Sequence, residues 1–163
     1  MSLERCTKEE MFFSIAEDNA KRATCIRRRY GAIFVRNDVV LSMGYCGAPR
    51  GAANCCDIGT CIREQQNIPS GQRYELCRSV HAEQNGIINA ARNGICIEGS
   101  DVYIYGFDPK TKKIIAAEPC LMCKRVLINA GILQAHLMTP DGVKVVAVKD
   151  WVNEFINYYY PAK

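Results

Sequence analysis

Two short stretches restrict this chain more than anything else in it: His81-Ala82-Glu83 and Pro119-Cys120-Leu121-Met122-Cys123. Each reads as a helix start. A C-x-x-C pair on a first helical turn points two sulfurs at one place, where the helix dipole favours thiolates. His81 adds a third, neutral ligand. Three protein ligands on zinc leave the fourth tetrahedral position for water, which marks a catalytic rather than a structural site. A fold that serves this set must bring two helix N-termini together. Glu83, two residues from the histidine, stands near such a metal without binding it and suits proton transfer. Taken singly, His81 is an ordinary capping or core histidine, and Cys120 with Cys123 is a redox pair or half a structural zinc site. In this order and at two helix starts, they read as one catalytic centre.

The chain holds ten cysteines in 163 residues. Met1-Ser2-Leu3-Glu4-Arg5 lacks the apolar stretch of a secretory signal, so the expected location is cytoplasmic. A reducing compartment directs thiols to metal ligation or leaves them free. No apolar run approaches the roughly 18 residues that span a bilayer, so no membrane partner is expected. An apolar fraction of 48% and a charged fraction of 23% suit one compact domain over residues 1–163. The net charge of +4 is a weak argument for a nucleic-acid partner. Its strongest cluster, Arg27-Arg28-Arg29, fits either a phosphate or a solvated turn.

The pattern along the chain predicts its elements. Thr7-Lys8-Glu9-Glu10 reads as a capping box opening a helix with Met11, Phe12, Ile15, Ala16 and Ala20 on one face. Residues 32–35 and 39–41 flank Asn37-Asp38 as a β-hairpin. Residues 44–78 show no clear period. A helix from about His81 to Ala91 ends at Asn93-Gly94. Asp101 to Tyr105 reads as a buried strand. Pro119 is expected at the first position of the next helix, which Gly131 closes. Strands at 132–138 and 143–148 flank the turn at Asp141-Gly142. The tail, with Trp151, Phe155 and Tyr158 to Tyr160, is expected to dock as a helix. The implied fold class is α/β, a mixed sheet of about five strands covered by helices.

The two metal-ligand stretches match the H-x-E and P-C-x-x-C signature of zinc nucleobase deaminases. With Tyr30-Gly31-Ala32-Ile33, the run Gly44-Tyr45-Cys46-Gly47-Ala48-Pro49-Arg50-Gly51, Gln84-Asn85 and Ile128 to Ile132, the chain resembles the deoxycytidylate deaminases of the cytidine deaminase-like superfamily. The resemblance implies a three-layer α/β/α sandwich, a homo-oligomer (hexamer or dimer) and conversion of dCMP to dUMP and ammonia. It implies zinc on His81, Cys120 and Cys123, with Glu83 moving protons. The peptide N–H of Ala82 would hold the pyrimidine, carbonyls near Glu118 and Pro119 the departing amine. The loop from Tyr45 through Cys46 and Gly47 to Gly51, with Arg50, would close over sugar and phosphate. Some relatives carry a second, structural zinc in this region; here Cys25, Cys55, Cys61 and Cys77 match it best, with Cys56 as a substitute for Cys55. Cys6 and Cys96 read as structural.

Two departures bear on the substrate. Cys46 stands where the family usually has an Asn that contacts the sugar, and a thiol is a poor substitute for an amide. Residues 106–118 are longer than the family's usual connection and read as a hairpin, either a solvated excursion or a lid. A nucleotide phosphate needs a cation, and Arg50, Arg63, Arg73 and Arg78 are all candidates. Three rivals stand beside dCMP deamination. One is a deaminase of cytidine or a guanine-type base, supported by Cys46 and the inserted segment. Another is a tRNA-editing enzyme, which needs a basic groove and stacking aromatics that a dispersed +4 does not supply. The last is a non-catalytic zinc protein with a binding or competence-related role, for which an open metal position and a neighbouring carboxylate have no use.

Overall fold

The computed structural model describes residues 4–159. In chain order the elements are α1 (Lys8–Lys21), β1 (Arg29–Arg36), β2 (Val39–Tyr45), the one-turn helices α2 (Cys55–Ile58) and α3 (Ile62–Gln65), and a 3₁₀ turn (Tyr74–Leu76). Then come α4 (Ala82–Arg92), β3 (Asp101–Phe107), α5 (Leu121–Asn129), β4 (Gln134–Thr139), β5 (Gly142–Ala147) and α6 (Asp150–Tyr159). Five strands form one mixed sheet in the order β2-β1-β3-β4-β5. The β3–β4 pair is parallel and the other pairs are antiparallel. Tyr160, the last of the tail tyrosines, lies outside the described residues. No helix among the described residues is long and apolar enough to cross a membrane.

Strand alternation explains the layers. On β1, Ala32 and Phe34 join Val102 and Ile104 of β3 in a core with Ala82 and Ala90 of α4, Leu127 of α5 and Trp151 of α6. Ile33 and Val35, with Tyr103, Tyr105 and Phe107, turn to the other face and pack on Phe12, Phe13, Ala16 and Ala20 of α1. Strands covered on both faces read as continuous apolar runs, which is why Asp101 to Tyr105 gives a strand without polar alternation. Each buried large side chain contributes about 1.5–3 kcal/mol. This is the expected three-layer sandwich.

Local chemistry sets the ends. The capping box is present: Glu10 N donates to Thr7 Oγ1 at 3.2 Å, and Thr7 N donates to Glu10 Oε2 at 2.7 Å. Asn37 and Asp38 both take positive φ, 52° and 64°, as a two-residue type I′ hairpin requires. Gly44 has a different role. A Cβ there would lie 2.2 Å from Gly86 N and 2.3 Å from Ala82 O, so glycine lets α4 rest directly on β2. Ser42 Oγ donates to Gly86 O at 2.7 Å and Asn85 Nδ2 to Tyr45 O at 2.8 Å, fixing the start of α4 against the sheet.

Several boundaries differ from expectation. Pro119 lies outside α5, which begins at Leu121, and Cys120 is its extended N-cap (φ −68°, ψ 163°). β4 starts two residues late because Ile132 N is still bonded to Leu127 O in the turn that ends α5. Residues 44–78 hold two four-residue helices and a 3₁₀ turn, too short to have a readable period. The 106–118 segment is the expected hairpin: β3 runs on to Phe107, which bridges Ile114. Its turn is held by the Asp108 carboxylate, which accepts from Lys110 N at 2.7 Å and Thr111 N at 3.0 Å. Lys110 to Lys113 are exposed, while the returning strand ends at buried Ala117.

Candidate active site

The starts of α4 and α5 meet. His81 is the extended N-cap of α4, with its N–H donating to Gln84 Oε1 at 3.2 Å. Its Nδ1 lies 3.4 Å from Cys120 Sγ and 3.3 Å from Cys123 Sγ. Among the described residues, these three are the one group of three or more His, Cys, Asp or Glu donors whose ligating atoms all lie within 4.8 Å of one another. Bonds of about 2.3 Å to sulfur and about 2.0 Å to nitrogen at a tetrahedral angle put ligand atoms about 3.5 Å apart. The donor set therefore fits zinc in spacing as well as in chemistry. Cys120 sits at the N-cap and Cys123 one turn on, so both sulfurs reach the same point.

The thiols and Glu83 behave as a coupled set. Cys120, accepting from the Cys123 thiol and beside His81, is held down to about 4. Cys123 is pushed up, because the thiolate it donates to holds its proton and burial adds to this. His81 is raised: burial works against its charge, but contact with Cys120 and the nearby Glu83 outweigh it. Glu83 is only 6% exposed. Burial raises its carboxyl above the ordinary carboxylate value, against the pull of His81. A raised carboxyl can hold and release a proton nearer neutral pH.

A cleft opens beside this cluster. Its walls include His81, Ala82, Glu83, Ala117, Glu118 and Cys120. Of the residues anticipated as substrate contacts, Cys46 and Ala82 line it; Tyr45, Gly47, Arg50 and Pro119 do not. The reason lies in the path of the loop. Gly47 exchanges backbone hydrogen bonds with Val80 at 2.8 and 3.2 Å, which carries the chain away from the cleft. Arg50 then turns to α4 and donates to Asn89 Oδ1 at 3.0 Å. Cys46 faces inward to the backbone of β1: Tyr30 N donates to its sulfur at 3.4 Å, and burial pushes its thiol up to about 12. No disulfide forms, and all ten cysteines are free. Cys25, Cys61 and Cys77 line the same cleft, with buried Cys55 behind them, but the four sulfurs are more widely spread than the first set.

Arg28, read from sequence as a phosphate contact or a solvated turn, and Tyr30, read as part of the β1 motif, line the cleft as well, together with Tyr74, which no sequence pattern singled out. Tyr74 packs edge-on against His81, with ring centroids 5.0 Å apart. The signal for Tyr30 is the alternation of β1: it shares a face with Ala32 and Phe34, the face that α4 covers.

Similarity to known proteins agrees with this geometry. The family described as the cytidine and deoxycytidylate deaminase zinc-binding region matches residues 6–139. A deoxycytidylate deaminase of Schizosaccharomyces pombe is 32% identical over 124 residues, 76% of this chain but 34% of that protein. One from Mycobacterium phage D29 is 32% identical over 129 residues, 76% of this chain and 88% of the phage protein. The first of these relatives is thus much longer than the stretch this chain spans. The apo crystal structure of the dCMP deaminase from cyanophage S-TIM5 superposes with a TM-score of 0.56 at 26% identity, covering 81% of this chain and 82% of that one. With the signature residues gathered at one point and four-fifths of the chain matched, the chain belongs to the cytidine and deoxycytidylate deaminase family.

Proposed function

We propose that the chain deaminates a cytosine nucleotide by hydrolysis, taking dCMP and water to dUMP and ammonia. The observation that carries the reading is the convergence of His81 Nδ1 and the Cys120 and Cys123 sulfurs beside buried Glu83 at the base of an open cleft. The choice of dCMP is supported by relatives that are named deoxycytidylate deaminases.

His81, Cys120 and Cys123 would hold the metal. Zinc, when bound there, supplies a Lewis acid that lowers the pKa of water from about 15.7 to about 7. Glu83 takes a proton from the attacking water and passes it to the pyrimidine ring nitrogen. The oxygen left by that proton adds to the amine-bearing carbon; Glu83 takes the remaining proton from the added hydroxyl and gives it to the amine, the carbon–nitrogen bond breaks, the oxygen becomes the carbonyl and ammonia leaves. The raised carboxyl of Glu83 suits both halves of this cycle. The N–H of Ala82 is assigned to the pyrimidine, and the carbonyls near Glu118 and Pro119 to the departing amine.

The finer parts of the reading concern metal count, assembly and location. A second zinc on Cys25, Cys55, Cys61 and Cys77 is supported by their shared neighbourhood: Cys25 raises both Cys55 and Cys77, after burial of each. Four thiolates would pin a segment poor in apolar residues. Ten thiols without a disulfide suit a reducing compartment such as the cytoplasm. Exposed Val39 and Met43 on edge strand β2, with Ile88 on α4, support a homo-oligomer.

Ammonia release from dCMP, CMP, deoxycytidine, cytidine, guanine and adenosine, measured beside zinc per chain, tests the reaction, the substrate and the metal count together. Preferred turnover of dCMP is expected. Preference for another amine would reassign the substrate and keep the chemistry; no turnover by zinc-loaded protein would remove the enzymatic reading.

A further inference from the structure

The approach to α5 is held by side chains rather than by its own backbone. Ala117 N donates to Met138 O at 3.0 Å, and Lys124 N donates to Cys120 O at 2.9 Å. Between these bonds, Glu118 and Pro119 make no backbone hydrogen bond among the described residues. Proline has no N–H to offer. Yet this stretch leads straight into Cys120, and Glu118 lines the cleft. What fixes it is the Glu118 carboxylate. One oxygen lies 3.0 Å from Lys124 Nζ, the other 3.3 Å from Lys144 Nζ of β5.

Lys124 is the firmer of these two holds. The Lys144 side chain is 57% exposed, and an ion pair so open to water is worth little. Lys124 is 6% exposed. Burial works against its charge, but its hydrogen bonds to Glu154 and Glu118 outweigh this and raise its pKa above the ordinary lysine value. Both oxygens of Glu154 accept from its ammonium, at 3.0 and 2.8 Å, and the Trp151 ring lies 5.2 Å away. Glu154 and Trp151 belong to α6, none of whose described residues lines the cleft. Glu154, Lys124, Glu118 and Lys144 thus form a chain of alternating charge from α6 to the cleft. Members of such a network are coupled, so loosening one loosens the next.

We propose that Lys124 is a positioning residue for the deamination: clamped to Glu154 of α6, it holds Glu118, and with it the segment from Glu118 to Cys120, in the place that turnover needs. In this way α6 sets the rate without touching the substrate. The carbonyls near Glu118 and Pro119 are those assigned to the departing amine, and a displacement of about 1 Å in such a group can cost about 100-fold in rate. The proposal rests on the deaminase reading, but its test does not depend on turnover alone.

Zinc-loaded wild type is compared with Lys124→Met, Lys124→Arg, Glu154→Gln, Glu118→Gln and Val35→Ala. The measurements are kcat and KM on dCMP, the rate of zinc release to a chelating dye, and melting temperature. Val35→Ala trims the core on the α1 face of the sheet, so it lowers melting temperature without touching the network. Lys124→Met is expected to lower kcat roughly 10- to 100-fold, to change KM less than about threefold, and to release zinc several-fold faster. Lys124→Arg keeps the charge and should recover most of the loss. Glu154→Gln, at an exposed position, should lower kcat about 3- to 10-fold, and it carries the test if Lys124→Met does not fold. Val35→Ala should keep wild-type kcat and zinc release at a comparable drop in melting temperature. Faster zinc release from Lys124→Met and Glu118→Gln than from Val35→Ala supports the positioning of the segment even if dCMP is not turned over, in which case only the deaminase reading fails. The proposal is overturned if the losses follow melting temperature across all variants, Val35→Ala included. Wild-type kcat and zinc release in Lys124→Met and Glu154→Gln overturn it as well.

Discussion

At the residue scale, the account turns on four side chains. His81, Cys120 and Cys123 bring three donors within 4.8 Å, a separation that thiols and an imidazole tolerate without metal only by sharing protons. Replacing Cys123 by Ala should therefore lose zinc and activity together, read by metal analysis on purified protein. Zinc retained at the wild-type level in that variant would remove the assigned ligand set. These residues were legible from sequence because the chemistry fixes their types and their places at helix starts. Tyr74 was not, and Arg28 and Tyr30 were legible only as a basic cluster and a strand motif without a place in the cleft. They belong to the cleft through strand alternation and a short turn, and a guanidinium or a phenol in sequence is most often simply at the surface. Cys46 was legible as a cleft residue, but its inward turn onto the β1 backbone depends on the Gly47–Val80 pairing, which no local pattern announces.

At the element scale, α1 and α4 illustrate two ways of fixing a helix. In α1 the capping box lowers the Glu10 carboxyl below its ordinary value of 4.5, the Thr7 N–H being the main cause. A lowered folded pKa contributes stability above the unfolded value and loses it as pH falls through the folded one. The melting-temperature difference between wild type and Glu10→Gln should accordingly be present at neutral pH and shrink below about pH 4.5. A difference independent of pH would deny the carboxylate that role. In α4 the fixing device is close approach. Gly44→Ala places a methyl against the backbone of Gly86 and Ala82, which must shift; a loss of about 1–3 kcal/mol is expected, read by denaturant unfolding. Activity should fall with it, since the displaced helix carries His81 and Glu83. Unchanged stability would mean that β2 and α4 are less tightly apposed. The long helices and central strands were readable from periodicity, whereas α2 and α3 were not, because four residues contain about one turn.

At the scale of the whole molecule, the sheet order puts β3 at the centre between β1 and β4, and helices from both ends of the chain cover the sheet. α6 closes the layer that holds the site. Trp151 is 3% exposed, and Lys124 of α5 pairs with Glu154 at 2.8 Å and with Glu118, a cleft residue, at 3.0 Å. Lys124 follows Cys123 directly, so Lys124→Met should destabilise the chain by about 1–3 kcal/mol and leave Glu118 held at the cleft by Lys144 alone. Thermal unfolding checks the first effect, and a result within experimental error of wild type would show the ion pairs to be incidental. The layer architecture followed from the order of apolar segments, but the Glu118–Lys124–Glu154 link joins residues far apart in sequence and needed the fold to be seen.

The central claim is that Glu83 moves protons for a hydrolytic deamination at this zinc centre. Its most direct test compares wild type with Glu83→Gln for turnover of dCMP to dUMP and ammonia, with zinc per chain measured on the same samples. A fall of roughly 10²–10⁴ or more in turnover at unchanged zinc is predicted, the contribution of positioned proton transfer. Turnover within a few-fold of wild type, or zinc lost along with the carboxylate, would contradict it.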